Sequence, residues 1–359
     1  MRVAFFVHSL LADWKHGSSH FLRGIATELI ARGHEVLIFE PRQSLIAGQG
    51  AETLAGFRAA YPKLASQRYD PATLDLDRAL EGAGLVIVHE WSDPLLAHRL
   101  GYHRRHGGGA YRLLFHDTHH RAVTHPAAFA AYSLADYDGV LASGAAVRDL
   151  YLKNGWARAA WTWHEAADTR VFYPRGVEDR AGDLVWIGNW GDADRPELRE
   201  FLTGPVRELG IFARVHGGRG GHGSGYSEVA RRALLEAGID YAGWVPNYEV
   251  PRIFARFALT VNVPRRPQAQ TPTSQFLEAL ACGIPLVSAP WDDAEGLFRP
   301  GQDYLLAHNG EEMKLLLREL LADPATAVEL ARAGRETLLR RHTCAHRVNE
   351  LLEIYRQVR

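Results

Sequence analysis

Residues 1–40, MRVAFFVHSLLADWKHGSSHFLRGIATELIARGHEVLIFE, spell out one complete structural unit. Arg2–Val7 is a short apolar run rich in Val and Phe, the pattern of a buried strand. His8–Gly17 reads as a loop. From Ser18 to Arg32, Phe21, Ile25, Leu29 and Ile30 fall on one helical face, and Gly33 stands at the stop. His34–Glu40 is a second strand. Strand, helix and strand within forty residues predict parallel pairing through a right-handed crossover.

The alternation continues outward. Leu85–Glu90, Tyr111–Asp117, Gly139–Ser143 and Ala159–His164 read as strands, with a helix at Ala146–Lys153. Residues 42–75 read as a helix and an exposed loop. Near Asp168–Arg180 the periodicity lapses into a polar stretch with Pro and Gly, which predicts a domain boundary. Beyond it, Asp183–Asn189, Phe212–Gly217, Tyr241–Val245, Leu259–Val263 and Pro285–Ala289 are strand-like. Helices are expected at about 195–209, 226–237, 248–256 and 274–282. Two doubly wound α/β domains result, residues 1–170 and 171–342. Residues 343–359 form a closing amphipathic helix with Val348, Leu351, Leu352 and Tyr355 on one face.

Composition narrows the function. The 359 residues carry 41 Lys+Arg against 42 Asp+Glu, a net charge of −1. That balance argues against nucleic acid as principal partner, since phosphate binding leaves a basic excess. Cys282 and Cys344, the two cysteines, build neither a disulfide framework nor a four-thiolate metal site. The first apolar run is broken by His8, Asp13 and Lys15, so it is not expected to be a signal peptide. No stretch nears the ~20 apolar residues of a membrane span. The expectation is a cytoplasmic protein.

Ligands of such sheets bind beyond the carboxyl ends of the strands. The loops to examine are therefore 8–18, 90–94, 116–126, 188–195, 217–225, 264–274 and 290–298. Gly17 and Ser18 open a helix, a place receptive to phosphate or filled by a plain N-cap. The fingerprint G-x-G-x-x-G is absent after the first strand, which disfavours nicotinamide or flavin chemistry. Glu278 lies inside the apolar run FLEALACG and needs a partner there, whether ribose hydroxyls, solvent or an arginine. His116, Asp117, Thr118, His119, His120 and His125 suit a metal, a polar loop or a substrate contact by composition alone. Trp156, Trp161 and Trp163 read as core or as a sugar-stacking cluster.

Several segments together resemble one enzyme family. HGSSHFLRGIATELIARGHEVLIFE (16–40), FHD (115–117), ADYDGVLASGAAVRDLYLKNG (135–155), ADTRVFYP (167–174) and FLEALACGIPLVS (276–288) are similar to successive landmarks of GT-B glycosyltransferases of family-4 type. GNWGDADRPEL (188–198), GWVPNYEVPRIFARFALTVNVP (243–264) and DDAEGLFRPGQDYLL (292–306) resemble the spore-maturation, CgeB-like branch.

The resemblance implies two Rossmann-like domains, acceptor side first and donor side second, with the last helix crossing back. It implies transfer of a hexosyl group from a nucleotide-diphosphate sugar to a hydroxyl of a glycan, protein or small molecule, with no cofactor and no metal. The donor would meet Gly17, Ser18, Gly188, Asn189, Gln270, Thr273, Ser274 and Glu278, the last holding the ribose. His116 and Asp117 would be catalytic, lying near the donor sugar or the acceptor and orienting or deprotonating an acceptor hydroxyl. The chain departs from the family where Gln270 replaces the first of two glutamates eight apart. Asn189 stands where an Arg-then-Lys pair is usual, and Gln275 where the CgeB-like pattern has arginine. Only Lys15, Lys63, Lys153 and Lys314 are lysines. Diphosphate neutralisation therefore falls to arginine, with Arg195 expected as the catalytic cation, Arg199 in reserve, and Arg265 and Arg266 competing. A non-catalytic sugar-binding relative and a nucleotide-sugar epimerase or hydrolase are the alternative functions.

Overall fold

A computed structural model describes residues 1–10, 18–42, 51–107, 109–118, 132–176, 179–190, 195–218, 226–265 and 271–358. The first sheet contains β1 (Arg2–Phe6), β2 (Glu35–Pro41), β3 (Ser66–Tyr69), β4 (Ala83–His89), β5 (Arg112–Asp117), β6 (Gly139–Ala142) and β7 (Ala160–Thr162). Its order is β3-β2-β1-β4-β5-β6-β7, and the paired strands run parallel. The second sheet contains β8 (Gly182–Ile187), β9 (Ala213–His216), β10 (Asp240–Gly243), β11 (Phe257–Asn262), β12 (Leu286–Ser288) and β13 (Leu305–Leu306). Its order, β10-β9-β8-β11-β12-β13, is again parallel. Each sheet reverses its strand order beside its first strand, at β1/β4 and β8/β11. Such a reversal opens a crevice at the carboxyl edge.

Three details differ from the sequence reading, and a fourth decides between its alternatives. Residues 42–75 include the edge strand β3, whose sequence SQRY shows no apolar alternation. β13 is a further edge strand, of two residues. The helix expected at 195–209 is interrupted by a π-helical stretch, Arg199–Thr203, between α-helical Pro196–Leu198 and Gly204–Leu209. Among the tryptophans, Trp163 has no exposure and donates to the Arg347 carbonyl, which settles it as core.

Six helices position the crevices and the contacts between the domains: α1 (Ser18–Ala31), α2 (Ala51–Ala60), α3 (Ala145–Lys153), α4 (Ser274–Cys282), α5 (Pro324–Arg341) and α6 (Cys344–Gln357). α1 buries Phe21, Ile25 and Leu29 against β1 and β4, as its periodicity requires. Each such side chain contributes about 1.5–3 kcal/mol. α6 crosses back and adds Val348, Leu351 and Ile354 to the same apolar cluster. Its approach to α1 needs Gly24, where a Cβ would meet the Cys344 sulfur and come within 2.8 Å of the Asp168 Cβ. From α2 and the turn after it, Phe57 and Tyr61 reach the other way and join Val250, Phe254 and Phe276 of the second domain.

Two chain segments cross between the domains side by side. Ala167 bridges Thr343 in parallel, with Ala167 N–H on the His342 carbonyl at 3.1 Å and Cys344 N–H on the Ala167 carbonyl at 3.1 Å. His342 completes this crossing. Its Nε2 meets the Leu297 carbonyl at 3.1 Å, and its Nδ1 lies 3.1 Å from Arg347 Nη2. One ring nitrogen must donate and the other accept, so the imidazole is neutral.

Burial, then Arg347, lowers His342 to about 3; burial, then Arg214, lowers His216 at the end of β9 to about 4. In the unfolded chain both titrate near the ordinary 6.5. Between pH 6.5 and 4 the unfolded state therefore holds more protons, and stability rises with pH. The unfolding midpoint in denaturant should fall as pH drops from 6.5 to 4, and His216→Gln should flatten that slope. An unchanged slope in the variant would refute the assignment to His216.

Candidate functional site

The crevice of the second sheet contains a cavity of about 200 Å³ at the carboxyl ends of β8 and β11, lined among others by Gly188, Asn189, Arg195, Asn262, Thr273 and Gln275. Thr273 is the N-cap of α4; its hydroxyl accepts from Phe276 N–H at 3.2 Å and donates to Asn262 Oδ1 at 2.9 Å. Asn262 Nδ2 passes the chain on to Ser288 Oγ at 2.9 Å. Hydroxyl, amide and hydroxyl thus fix one another at two strand ends and a helix N-cap. Gly188 and Gly217 approach closely here. A Cβ on Gly217, whose φ is +155°, would strike the Gly188 carbonyl.

Arg195 has little exposure and ties the walls together. Nη1 donates to the Asn189 carbonyl at 3.2 Å, Nη2 to the Val263 carbonyl at 3.1 Å, and Nε to Glu197 at 2.7 Å. Burial draws its pKa down from the ordinary arginine value, while Glu197 opposes the shift. The guanidinium therefore joins the ends of β8 and β11 as well as bordering the cavity. Arg265 lines the same cavity. Arg266 and Gln270 lie outside the described residues.

A second cavity, about 100 Å³, lies between the domains. Thr118, Ser143 and Gly144 line it from the first domain, and Thr271, Asp292 and Glu295 from the second. Gly144, the N-cap of α3, brings no side-chain cap. Glu295 supplies one from across the cleft, accepting from Ala145 N–H at 2.9 Å. Its other oxygen is 3.1 Å from His164 Nε2. Beside it, Ser274 Oγ donates to Glu165 Oε2 at 2.7 Å.

Glu278 is buried in α4, and its carboxylate contacts Nδ1 of His20 on α1. An imidazole of the opposite domain is thus its partner, where the sequence suggested ribose, solvent or arginine. One turn on, Arg23 is fully buried; Nε donates to the Leu10 carbonyl at 2.6 Å and Nη1 to Asn247 Oδ1 of the second domain at 2.8 Å. Its guanidinium lies over the Phe57 and Tyr61 rings at 5.4 and 5.5 Å.

The histidine-rich segment places its residues unevenly. His116 has no exposure and sits among Phe21, His89 and Trp163, with ring centroids 5.8, 5.3 and 4.9 Å away. Asp117 is equally buried and accepts from the Tyr151 hydroxyl at 2.8 Å. Burial, then the Asp117 charge, holds the Tyr151 phenol protonated, far above its ordinary value. Among the described residues it is Thr118, the next residue, that lines the cleft cavity. His119, His120, His125 and Gly17 lie outside the described residues, as do 219–225 of the Gly-rich loop. Ser18 opens α1. Among the described residues, no three His, Cys, Asp or Glu side chains form a group able to hold a metal. No helix among them is long and apolar enough to cross a membrane.

Sequence reasoning passed over His20, Glu90, Asn262 and Glu295. Glu90 and Glu295 fall in the strand-end loops it singled out, which was the available signal.

Comparison with known proteins agrees with the fold. A family model described as "Glycosyl transferase-like" matches residues 195–353. No curated protein matches the chain. Among solved structures, a sucrose-phosphate synthase from Thermosynechococcus elongatus superposes with TM-score 0.71 at 16% identity, covering 99% of this chain and 98% of its own. HepE from Anabaena in complex with UDP-glucose gives 0.71 at 14%, covering 99% and 100%. An alpha-glucosyltransferase in complex with UDP gives 0.70 at 14%, covering 99% of each chain. The fold is the GT-B arrangement of two Rossmann-like domains, and the second half carries a glycosyltransferase-like domain.

Removal of Arg195 should reveal its structural part. Arg195→Ala leaves Glu197 and two strand-end carbonyls without their shared donor, a loss of roughly 2–4 kcal/mol. Arg195→Lys, with one nitrogen, should recover less than half of it in denaturant titrations. Unchanged stability in both variants would leave Arg195 no role as a tie.

Proposed function

We propose that the protein is a glycosyltransferase that moves a sugar, expected to be a hexose, from a nucleotide-diphosphate donor to an acceptor hydroxyl. The position of the family match carries this reading: residues 195–353 include Arg195, Asn262, Thr273, Glu278 and Glu295, which build both cavities and the contact beside them. The nucleotide would occupy the cavity of the second domain, and the sugar would project into the cavity between the domains. HepE and the alpha-glucosyltransferase, solved with UDP-glucose and UDP, support a nucleotide sugar as donor. The motifs of residues 292–306 support the finer CgeB-like placement. A near-zero net charge favours a glycan, protein or small-molecule acceptor over nucleic acid. A cytoplasmic setting belongs to the same reading.

In this scheme Gly188 and Asn189 offer backbone close to the diphosphate. Thr273 and Ser274 open α4, whose N-terminal dipole favours the same charge. Arg195 borders the leaving group, where negative charge develops in the transition state, so a fixed cation and backbone donors do the work without a metal. Glu278 accepts from the ribose hydroxyls when the donor binds, while His20 holds its carboxylate in place. Asp117 and His116 stand behind Thr118 and shape the sugar end of the cleft.

A thermal-shift series with UDP, GDP, dTDP and ADP tests this directly. One nucleotide should stabilise by about 2.7 kcal/mol at a hundredfold excess over Kd. Glu278→Gln should weaken that nucleotide by roughly 1.5–3 kcal/mol, and His20→Gln by less. The matching nucleotide sugar should release its sugar slowly without acceptor, and EDTA should leave the rate unchanged. Absence of any nucleotide response would overturn the proposal. Interconversion of two nucleotide sugars would make the protein an epimerase, and chelator-sensitive release would refute metal independence.

A further inference from the structure

Behind the interdomain cavity, the carboxyl ends of β4 and β5 hold a directed chain of hydrogen bonds. Glu90 comes directly after β4 and has no exposure. Its Oε1 accepts two bonds from one residue, from Thr118 N–H at 2.9 Å and from the Thr118 hydroxyl at 2.8 Å. On the other side stands His89. Trp91 N–H donates to His89 Nδ1 at 3.3 Å, so in the neutral ring Nε2 carries the proton. That Nε2 faces Thr118 Oγ1 at 3.4 Å. Tyr132 steadies the turn, with its hydroxyl 2.6 Å from the Glu90 carbonyl and 2.8 Å from that of Ser92.

The chemistry of a hydroxyl turns this chain into a constraint. Threonine has one hydroxyl proton and two lone pairs. With the proton committed to Glu90, the oxygen can only accept. Thr118 lines the cavity opposite Thr271, Asp292 and Glu295, where the proposed donor sugar projects. A side chain that would otherwise rotate to suit any ligand is thereby fixed in one polarity.

We propose that Thr118 is a substrate contact that accepts a hydrogen bond from a sugar or acceptor hydroxyl in this cavity, and that Glu90 is the positioning residue that holds it in that role. The inference rests on the glycosyltransferase reading and adds a selection rule. The group facing Thr118 must be a donor, a hydroxyl or an amine, and a deoxy or methoxy group at that position is disfavoured.

The test uses the full chain and the nucleotide sugar found by the thermal-shift series. It reads sugar release as kcat and KM, alongside affinity for the nucleoside diphosphate alone. Thr118→Val keeps the shape of the side chain and removes the acceptor. It should lower kcat/KM about tenfold while nucleotide affinity stays within about twofold. Thr118→Ser should stay within about threefold of the parent. Glu90→Gln can still accept both bonds through its amide oxygen and should retain most activity, whereas Glu90→Ala should fall as Thr118→Val does. In the Thr118→Val background, Glu90→Ala should add less than about twofold, because it acts through the missing hydroxyl. Thr118→Val within about twofold of the parent, or losses that multiply in the double variant, would overturn the proposal while leaving the glycosyltransferase reading intact. If the parent binds a nucleotide but releases sugar from no nucleotide sugar, both readings fall together.

Discussion

The contact between His20 of α1 and Glu278 of α4 joins the two domains at the point where neither residue has water to fall back on. A carboxylate in the middle of an apolar helix is strongly disfavoured without a partner. Here the partner comes from the first helix of the chain, 258 residues away in sequence. Arg23, on the same helix, adds its bond to Asn247. α1 is therefore bound on three sides: to its own sheet through Phe21, Ile25 and Leu29, to α6 through Gly24, and to the second domain through His20 and Arg23. Its placement sets the distance between the two carboxyl edges, and so the size of the cleft.

Two further contacts across the cleft, among the described residues, are also polar. Glu295 caps α3, and Ser274 bonds to Glu165. Polar contacts of this kind separate at less cost than an apolar face, as relative domain motion requires. The apolar share of the interface is carried by α2 and the turn after it, through Phe57 and Tyr61. Closure thus combines one apolar anchor with several directional contacts, two of which, at Ser274 and Glu278, involve residues expected to touch the donor. On the proposed reading, donor binding and domain approach would share side chains.

Much of this was legible in the sequence. The unit at residues 1–40 needed only periodicity and one glycine, and α4 occupies the predicted residues 274–282. Glu278 stood out because a charge inside FLEALACG demands a partner, but periodicity says nothing of a partner in another domain. β3 was hidden because only Tyr69 of its four residues is buried, so no apolar face shows in its sequence. The π-helical stretch ends at Gly204-Pro205, where proline has no N–H to give the preceding turn, a signal that apolar periodicity does not register. Arg195 was chosen for its charge, yet its carbonyl partners, Asn189 and Val263, are backbone groups that no side-chain pattern marks. His116 and Asp117 were expected near substrate. A strand end turns successive side chains to opposite faces, and which residue meets the cleft depends on where the strand stops, here at Asp117.

The central claim is that the nucleotide of a sugar donor sits at the carboxyl ends of β8 and β11, within reach of α4. Amide hydrogen exchange with and without the stabilising nucleoside diphosphate tests it most directly, because it locates the ligand without any assumption about the acceptor. The account predicts slowed exchange at residues 186–189, 260–263 and 273–280, with a smaller effect at the start of α1. Protection confined to the first domain, or to the outer strands β10 and β13, would contradict it.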